Sequence, residues 1–266
     1  MEPHRYGNQV GGMSDNDADI RFIAHRRETD GVQQSLATHL SEVADIAKSC
    51  AKKIGLEKQA EMIGLLHDLG KYSAEFQAYL KSAVGLINPD EDDYVNAKGL
   101  KGKVDHSTAG AQLVWETLSK QGDMGQIIGQ FLALCIVSHH SGLIDCLSSD
   151  SNSPPADKFT KRISKQEGKS HFREAVSKMD PQIEKRFHDL AKCPELVDGL
   201  KASIQRVMLR DNNKGRDLRD NLIVQFKLGL LVRLLFSCLI DADRINTADF
   251  EKPKAAKQRL NSQYAE

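Results

Sequence analysis

Five of the nine histidines stand at or beside expected helix ends with carboxylates close by: His39, His67 followed by Asp68, His106, and the pair His139–His140. A further acidic position follows the apolar segment FKLGLLVRLLFSCLI, where Asp241 and Asp243 lie two residues apart. Imidazole and carboxylate together are the ligands of divalent transition metals, and such groups from separate helices can converge on one cavity. Adjacent residues on a helix point about 100° apart. His67 and Asp68 can therefore share a site only at a helix terminus, or around two ions with Asp68 between them. A single histidine on an apolar helix is more often a hydrogen-bonded residue than a ligand, so His39 or His106 alone carries little. The pair His139–His140 carries more, because closing a helix as apolar as 127–137 with two imidazoles buries polar nitrogens that need partners. Three such anomalies on different segments point to one shared site. His4, His25, His171 and His188 lack this context and are expected on the surface or in structural roles.

The elements that must position these groups read as helices. Leu36, Leu40, Val43, Ile46, Ala47 and Ile54 recur at helical spacing from Ser35, and Gly55 supplies a stop. A second helix is expected over 57–69, ending at Gly70, and Ser73 caps a short third one. Residues 82–104 read as a loop. His106 and Ser107 open a fourth helix through Leu118, with Ser107 as its cap, and Met124–His140 form a fifth, apolar nearly all round and so expected in the middle of the domain. The stretch 145–170, with two prolines and many serines, reads as a surface excursion. Helices near 171–190 and 194–210 follow, then a long one over about 217–245. No strand alternation exceeds a few residues, so the fold class is all-α. Residues 1–20 read as a flexible leader, 21–250 as the domain, and 251–266 as a C-terminal tail.

Composition narrows the chemistry. The 266 residues balance 37 Lys and Arg against 37 Asp and Glu, so no overall cationic field holds a polyanion. Nucleic-acid affinity must come from a local patch, a metal centre or a partner. The five cysteines (Cys50, Cys135, Cys146, Cys193, Cys238) are scattered without a Cys-x-x-Cys pair, which argues against a disulfide framework or a structural zinc site and for a reducing cytoplasm. No uninterrupted apolar run reaches about eighteen residues, so no membrane association is expected.

The order His39, then LLHDLGK with His67 and Asp68, then KVDHSTAGA with His106, then VSHH ending at His140, then SCLIDADR, resembles the HD nuclease domain of the CRISPR-associated type I helicase-nuclease. The likeness spans about residues 20–250, and AHRRETDGVQQSLATHL looks like the start of the subtype I-C branch. The resemblance implies an all-helical HD bundle around a central site for two divalent transition metals, and the nitrogen-rich ligand set favours manganese, iron, cobalt or nickel over magnesium. Carried over by position, His39, His67, Asp68 and Asp243 would hold one ion, and Asp68, His106, His139 and His140 the other. Asp243 fits the family's Ala-Asp pattern better than Asp241. No helicase accompanies the domain: the nearest approach to a phosphate loop, Gly168-Lys169-Ser170, has Ile163 where the first glycine would stand. The chain is then either a stand-alone nuclease subunit or the nuclease piece of a longer protein.

The activity this implies is hydrolysis of single-stranded DNA phosphodiesters in type I CRISPR interference. Two ions would clamp the phosphate and acidify the attacking water, with Asp68 and Lys71 as the catalytic pair. Lys71 would place its ammonium on a phosphate oxygen or on that water; without the family likeness it reads as a solvated lysine at a helix end. Cations for the strand are Lys158, Lys161, Arg162 and Lys165, and Arg206, Arg210, Lys214, Arg216 and Arg219. The expected partners are single-stranded DNA, a CRISPR helicase and the type I surveillance complex. The rival readings are an HD phosphohydrolase acting on nucleotides or cyclic dinucleotides, and a non-catalytic HD module that would have lost several ligands.

Overall fold

A computed structural model describes residues 20–86, 96, 104–144, 147–148, 156–209 and 218–263. Residues 1–19 of the leader, most of 82–104, Cys146, Arg210, Lys214 and Arg216 lie outside them. The described residues form twelve α-helices and two small antiparallel ladders, which makes the fold all-α. The first ladder pairs β1 (Ile23–Arg26) with β2 (Gln33–Ser35) directly before the first helix.

Helix α1 (Leu36–Ala51) is capped by Ser35, whose side chain accepts from the Thr38 backbone N–H. It buries Leu36, His39, Leu40, Val43, Ala44, Ala47 and Ala51, a stripe at three- and four-residue spacing that carries His39 inward with the aliphatic residues. Helix α2 (Glu57–Leu66) is buried from Gln59 onward and packs on α1. Their approach is close: a Cβ on Gly64 would stand 2.7 Å from Ala44 Cα. The centre of the bundle is thus α2. Helix α5 (Gly122–Ser138), expected there, buries one side from Ile128 to Ser138 and leaves Gln126, Ile127 and Gln130 exposed.

Helix α2 stops three residues earlier than its hydrophobic pattern implies, and a 3-10 turn, Leu69–Tyr72, follows. Helix α3 (Ala74–Ala83) starts at Ser73, which accepts from Phe76 N–H. Helix α4 (Thr108–Leu118) is capped by Asp105 rather than Ser107: the Thr108 N–H donates to Asp105 Oδ1 at 3.1 Å and the Ser107 side chain makes no capping bond. Ser107 already has helical angles (φ −88°, ψ −27°), so Asp105, three residues before Thr108, stands in the capping relation to that amide.

The surface excursion holds a two-residue ladder of β3 (Leu147–Ser148) and β4 (Ala156–Asp157), then α6 (Lys158–Ile163) and α7 (Glu167–Ser170). Its anchor is Phe159, buried against Trp115 with ring centroids 5.6 Å apart. The regions near 171–190 and 194–210 are α8 (Phe172–Ser177), α9 (Pro181–Ala191) and α10 (Pro194–Leu209). Helix α11 runs Leu218–Glu251, well past the expected end near Ile245, because nothing breaks it before Pro253; the residue preceding a proline is disfavoured in helical geometry. The stretch read as a tail holds α12 (Pro253–Gln263), packed on α11.

Helix α11 also corrects the expectation about apolar length. Leu222–Glu251 is long and apolar enough, by length and composition, to cross a membrane. Lys227 and Arg233 interrupt it, and its later half buries Leu235, Leu239 and Ala242 in the core.

Candidate metal centre

The early end of α2 explains how two consecutive residues serve one place. His67 keeps helical angles as the C-cap, but Asp68 turns to φ −108°, ψ 20°, so the 100° divergence of helical neighbours does not apply. The next feature fixes His106. The Gly70 N–H donates to His106 O at 3.0 Å, and a Cβ on Gly70 would stand 2.5 Å from that same oxygen. Only glycine lets the backbone of the His106 segment lie this close to the turn. In the same way a Cβ on Gly110 would fall 1.9 Å from Leu66 O, so α4 presses its first turn onto the end of α2.

Five elements (α1, the end of α2, the segment before α4, the end of α5 and α11) thereby deliver seven side chains to two adjoining sets. His39, His67 and Asp243 form one, and Asp68, His106, His139 and His140 the other; within each set the ligand atoms lie within 4.8 Å of one another. Asp68 stands between them with one oxygen toward each. Its Oδ2 is 3.4 Å from His39 Nε2 and 3.3 Å from His67 Nε2, while its Oδ1 is 3.6 Å from His106 Nε2 and 3.2 Å from His139 Nε2. Asp243 Oδ1 closes the first set at 3.6 Å from His39 Nε2 and 3.7 Å from His67 Nε2. In the second set, His106 and His140 bring their Nε2 atoms within hydrogen-bonding distance.

Each of four rings is held from behind. The Nδ1 atoms of His67, His139 and His106 face the carbonyls of Gly64 (2.8 Å), Ile136 (2.7 Å) and Val104 (3.2 Å), and His39 Nδ1 faces Asn246 Oδ1 at 2.7 Å. An oxygen acceptor requires the hydrogen on Nδ1, which leaves Nε2 of a neutral ring as a bare lone pair. Those lone pairs point at carboxylate oxygens, and Nε2 of both His39 and His67 is buried without a hydrogen-bond partner. Lone pair against lone pair repels unless a cation lies between them. The donor set therefore fits divalent transition metal ions, of borderline softness, better than an all-oxygen cation.

The electrostatics agree with this fit. Burial lowers the pKa of His39, that of His106 to about 3 and that of His140 to about 4, so these rings stay neutral and able to ligate. Burial also opposes charge on His67, but the Asp68 and Asp243 carboxylates outweigh it and raise its pKa to about 10; without a metal, one proton offsets part of their charge. Burial would raise Asp68 and Asp243, yet His67 with Lys71 beside Asp68, and His67 with His39 beside Asp243, hold both carboxyls far below their ordinary range.

Lys71 is buried, its ammonium 2.7 Å from Asp68 Oδ2 and over the Phe76 ring; it is not the solvated lysine that its position in the sequence suggests. Asp241 is exposed, while Asp243, two residues on, enters the cluster. Arg162 and Lys165 grip Asp105 beside His106, and Arg162 also donates to Ser107 Oγ and Val137 O. They brace the second set instead of standing free, whereas Lys158, Lys161 and Arg206 are exposed.

His25, expected on the surface or in a structural role, lies half-buried on β1 with its ring centroid 4.8 Å from that of His39, edge to face, and burial lowers its pKa to about 3. The signal available for it was the apolar pair Ile23–Ala24 before it. His171 pairs with Glu75 and Glu174, and His188 lies near Glu184 on the surface. Asn246 lies one turn beyond Asp243, and its i+3 spacing from an inward-facing aspartate is the sign that the sequence offers for it.

The family model described as Cas3, HD domain, matches residues 17–206, a span that contains every clustered residue except Asp243. No curated protein matches the chain. The chain belongs to the Cas3 HD-domain family, whose members are metal-dependent nucleases of CRISPR systems that act on DNA beside a CRISPR helicase.

Proposed function

We propose that this domain, over residues 21–250, cleaves the phosphodiesters of single-stranded DNA in type I CRISPR interference, using two divalent transition metal ions held by His39, His67, Asp68 and Asp243 and by Asp68, His106, His139 and His140. The observation that carries the reading is the split of the Asp68 carboxylate, one oxygen toward each histidine set. When bound, such ions neutralise phosphate charge and acidify water for in-line attack. The chain's own groups do the rest. Asp68 holds the two sets together, and Lys71 keeps Asp68 Oδ2 ionised and oriented from 2.7 Å. His140 is exposed at the rim, so a strand can reach the second set without a pocket that selects one base. Lys158 and Lys161 on α6 offer charge for its backbone.

With net charge near zero, delivery of the strand falls to the helicase and the surveillance complex, and the setting is the cytoplasm. The subtype I-C branch is the one that the segment before His39 favours. Residues 251–266 lie beyond the nuclease proper. Circular single-stranded DNA tests the reading against a nucleotide and cyclic-dinucleotide panel. Cleavage of the circle with manganese, cobalt or nickel, and feeble cleavage with magnesium alone, is the expected result. Hydrolysis of the panel with an intact circle would replace it by the nucleotide phosphohydrolase. Equal rates in magnesium would remove the histidine sets from the chemistry.

A further inference from the structure

Behind His39 lies a chain of polar contacts that touches no reacting group. His39 Nδ1 meets Asn246 Oδ1 at 2.7 Å, Asn246 Nδ2 donates to Glu42 Oε2 at 2.6 Å, and Gln34 Nε2 donates both to Glu42 Oε2 at 3.0 Å and to Asn246 Oδ1 at 3.1 Å. Asn246 and Gln34 are buried, while Glu42 faces solvent. These contacts join β2, α1 and α11 around one amide.

The chemistry of the end group sets every orientation inward from it. A carboxylate only accepts hydrogen bonds, so the Asn246 atom against Glu42 is the NH2. The atom against His39 is then the carbonyl oxygen, which only accepts, and the hydrogen of His39 is on Nδ1. With that nitrogen donating, Nε2 offers its lone pair toward Asp68 and Asp243. The other anchored rings, His67, His106 and His139, take the same tautomer from backbone carbonyls, which no side-chain substitution can reverse. His39 is held by a side chain.

We infer that Asn246, oriented by Glu42, is a positioning residue that fixes the His39 tautomer and so readies Nε2 to ligate the first metal ion. This rests on the metal-site reading above, yet part of it is decided without any metal. In the metal-free wild-type chain, ¹⁵N chemical shifts and long-range ¹H–¹⁵N correlations should place the His39 hydrogen on Nδ1. Asn246→Leu keeps the side chain's approximate size and removes the acceptor; it should abolish that preference and weaken manganese binding by about 10- to 100-fold in equilibrium dialysis, as losing an outer-shell partner does. The exchange Asn246→Asp with Glu42→Gln puts the carboxylate against His39 and the amide outside. It should restore the tautomer and bring affinity back to within about tenfold of wild type.

A wild-type His39 carrying its hydrogen on Nε2 would overturn the inference. So would Asn246→Leu with unchanged tautomer and affinity, or a folded exchange variant without rescue. If Asn246→Leu fails to fold, the wild-type tautomer and the exchange variant still decide. If DNA stays intact while these readouts come out as expected, the nuclease reading fails and the positioning role stands.

Discussion

The two histidine sets around Asp68 are built differently. The first is enclosed: His39 and His67 have fully buried side chains, their Nε2 atoms have no hydrogen-bond partner, and Asp243 covers them from α11. The second opens outward: His139 is buried, but His140 is exposed and leans on His106 across the rim. A closed set of imidazoles and ionised carboxylates suits an ion held by shape and charge, while an open one leaves room for substrate. One shared carboxylate thus faces an enclosed half and an open half, and substitutions should reveal the asymmetry.

The largest effect falls on the shared residue. Asp68→Ala takes an oxygen from each set and should release metal from both, lowering cleavage by at least about 10³-fold, or ~4 kcal/mol in transition-state stabilisation. Helicity should persist, because α2 has already ended at Leu66. Elemental analysis, circular dichroism and nuclease rate measured together check this; near-normal cleavage would end the shared-carboxylate account.

Next in size is the wall of the enclosed set. Asp243→Asn should empty the first set and lower the rate by roughly 10²-fold, or ~2.7 kcal/mol. Asp241→Asn, at an exposed position, should leave metal content intact and change stability by no more than about 0.5 kcal/mol. Bound metal and cleavage in the two variants decide between them, and the reverse pattern would move the ligand to Asp241.

The rim residue should matter less. His140→Ala leaves the first set complete, so about one ion per chain should remain while the second is lost on dialysis, and the rate should fall by roughly tenfold to a hundredfold (~1.4 to 2.7 kcal/mol). Loss of both ions would show that the sets are one cooperative unit and dissolve the contrast.

How much of this was legible in the sequence follows from what each signal depends on. Helix α1 and its inward His39 were readable because periodicity alone decides which face is buried. The gathering of HDLGK, His106 and the His139–His140 pair was readable as a family pattern, since spacing around helix ends is local. The exact end of α2 was not, because Leu69 continues the apolar pattern and only the packing of Gly70 on His106 O turns the chain early. Asp105 replacing Ser107 as cap is a contact only three residues long, but Ser107 has its hydroxyl taken by Arg162; that bond, Lys165 bracing Asp105, and Asn246 behind His39 are contacts between residues 55 to 207 positions apart, which no window of sequence contains. The length of α11 was hidden by reading Asp241–Asp243 as an end rather than as one polar turn within a continuing helix.

The smallest effect on the site belongs to an ion-pair network that holds the bundle without touching either histidine set. Arg186 on α9 donates to Glu61 Oε1 through Nε at 3.0 Å and Nη2 at 2.8 Å, to Ser41 O at 3.3 Å, and pairs with Asp45 at 2.5 Å. Glu61 is buried and keeps Lys48 at 3.1 Å as a second partner. Arg186→Ala therefore leaves Glu61 partly compensated, and the loss should be about 1–3 kcal/mol, below that of stranding a buried charge outright. Burial pushes the Glu61 carboxyl up, but Arg186 and Lys48 outweigh it and hold it below its ordinary range. A carboxylate depressed in the folded state stabilises above its unfolded pKa, near 4.3, and that contribution is lost as pH falls through the folded value. The stability gap between wild type and Arg186→Ala should thus be full at pH 7 and narrow below about pH 4. Urea unfolding at the two pH values reads the gap, and elemental analysis at pH 7 should find both ions in place. A variant that loses metal would mean that the enclosed half depends on α9 as well as on α1, α2 and α11; a gap that widens in acid would show that Glu61 is not the partner that counts.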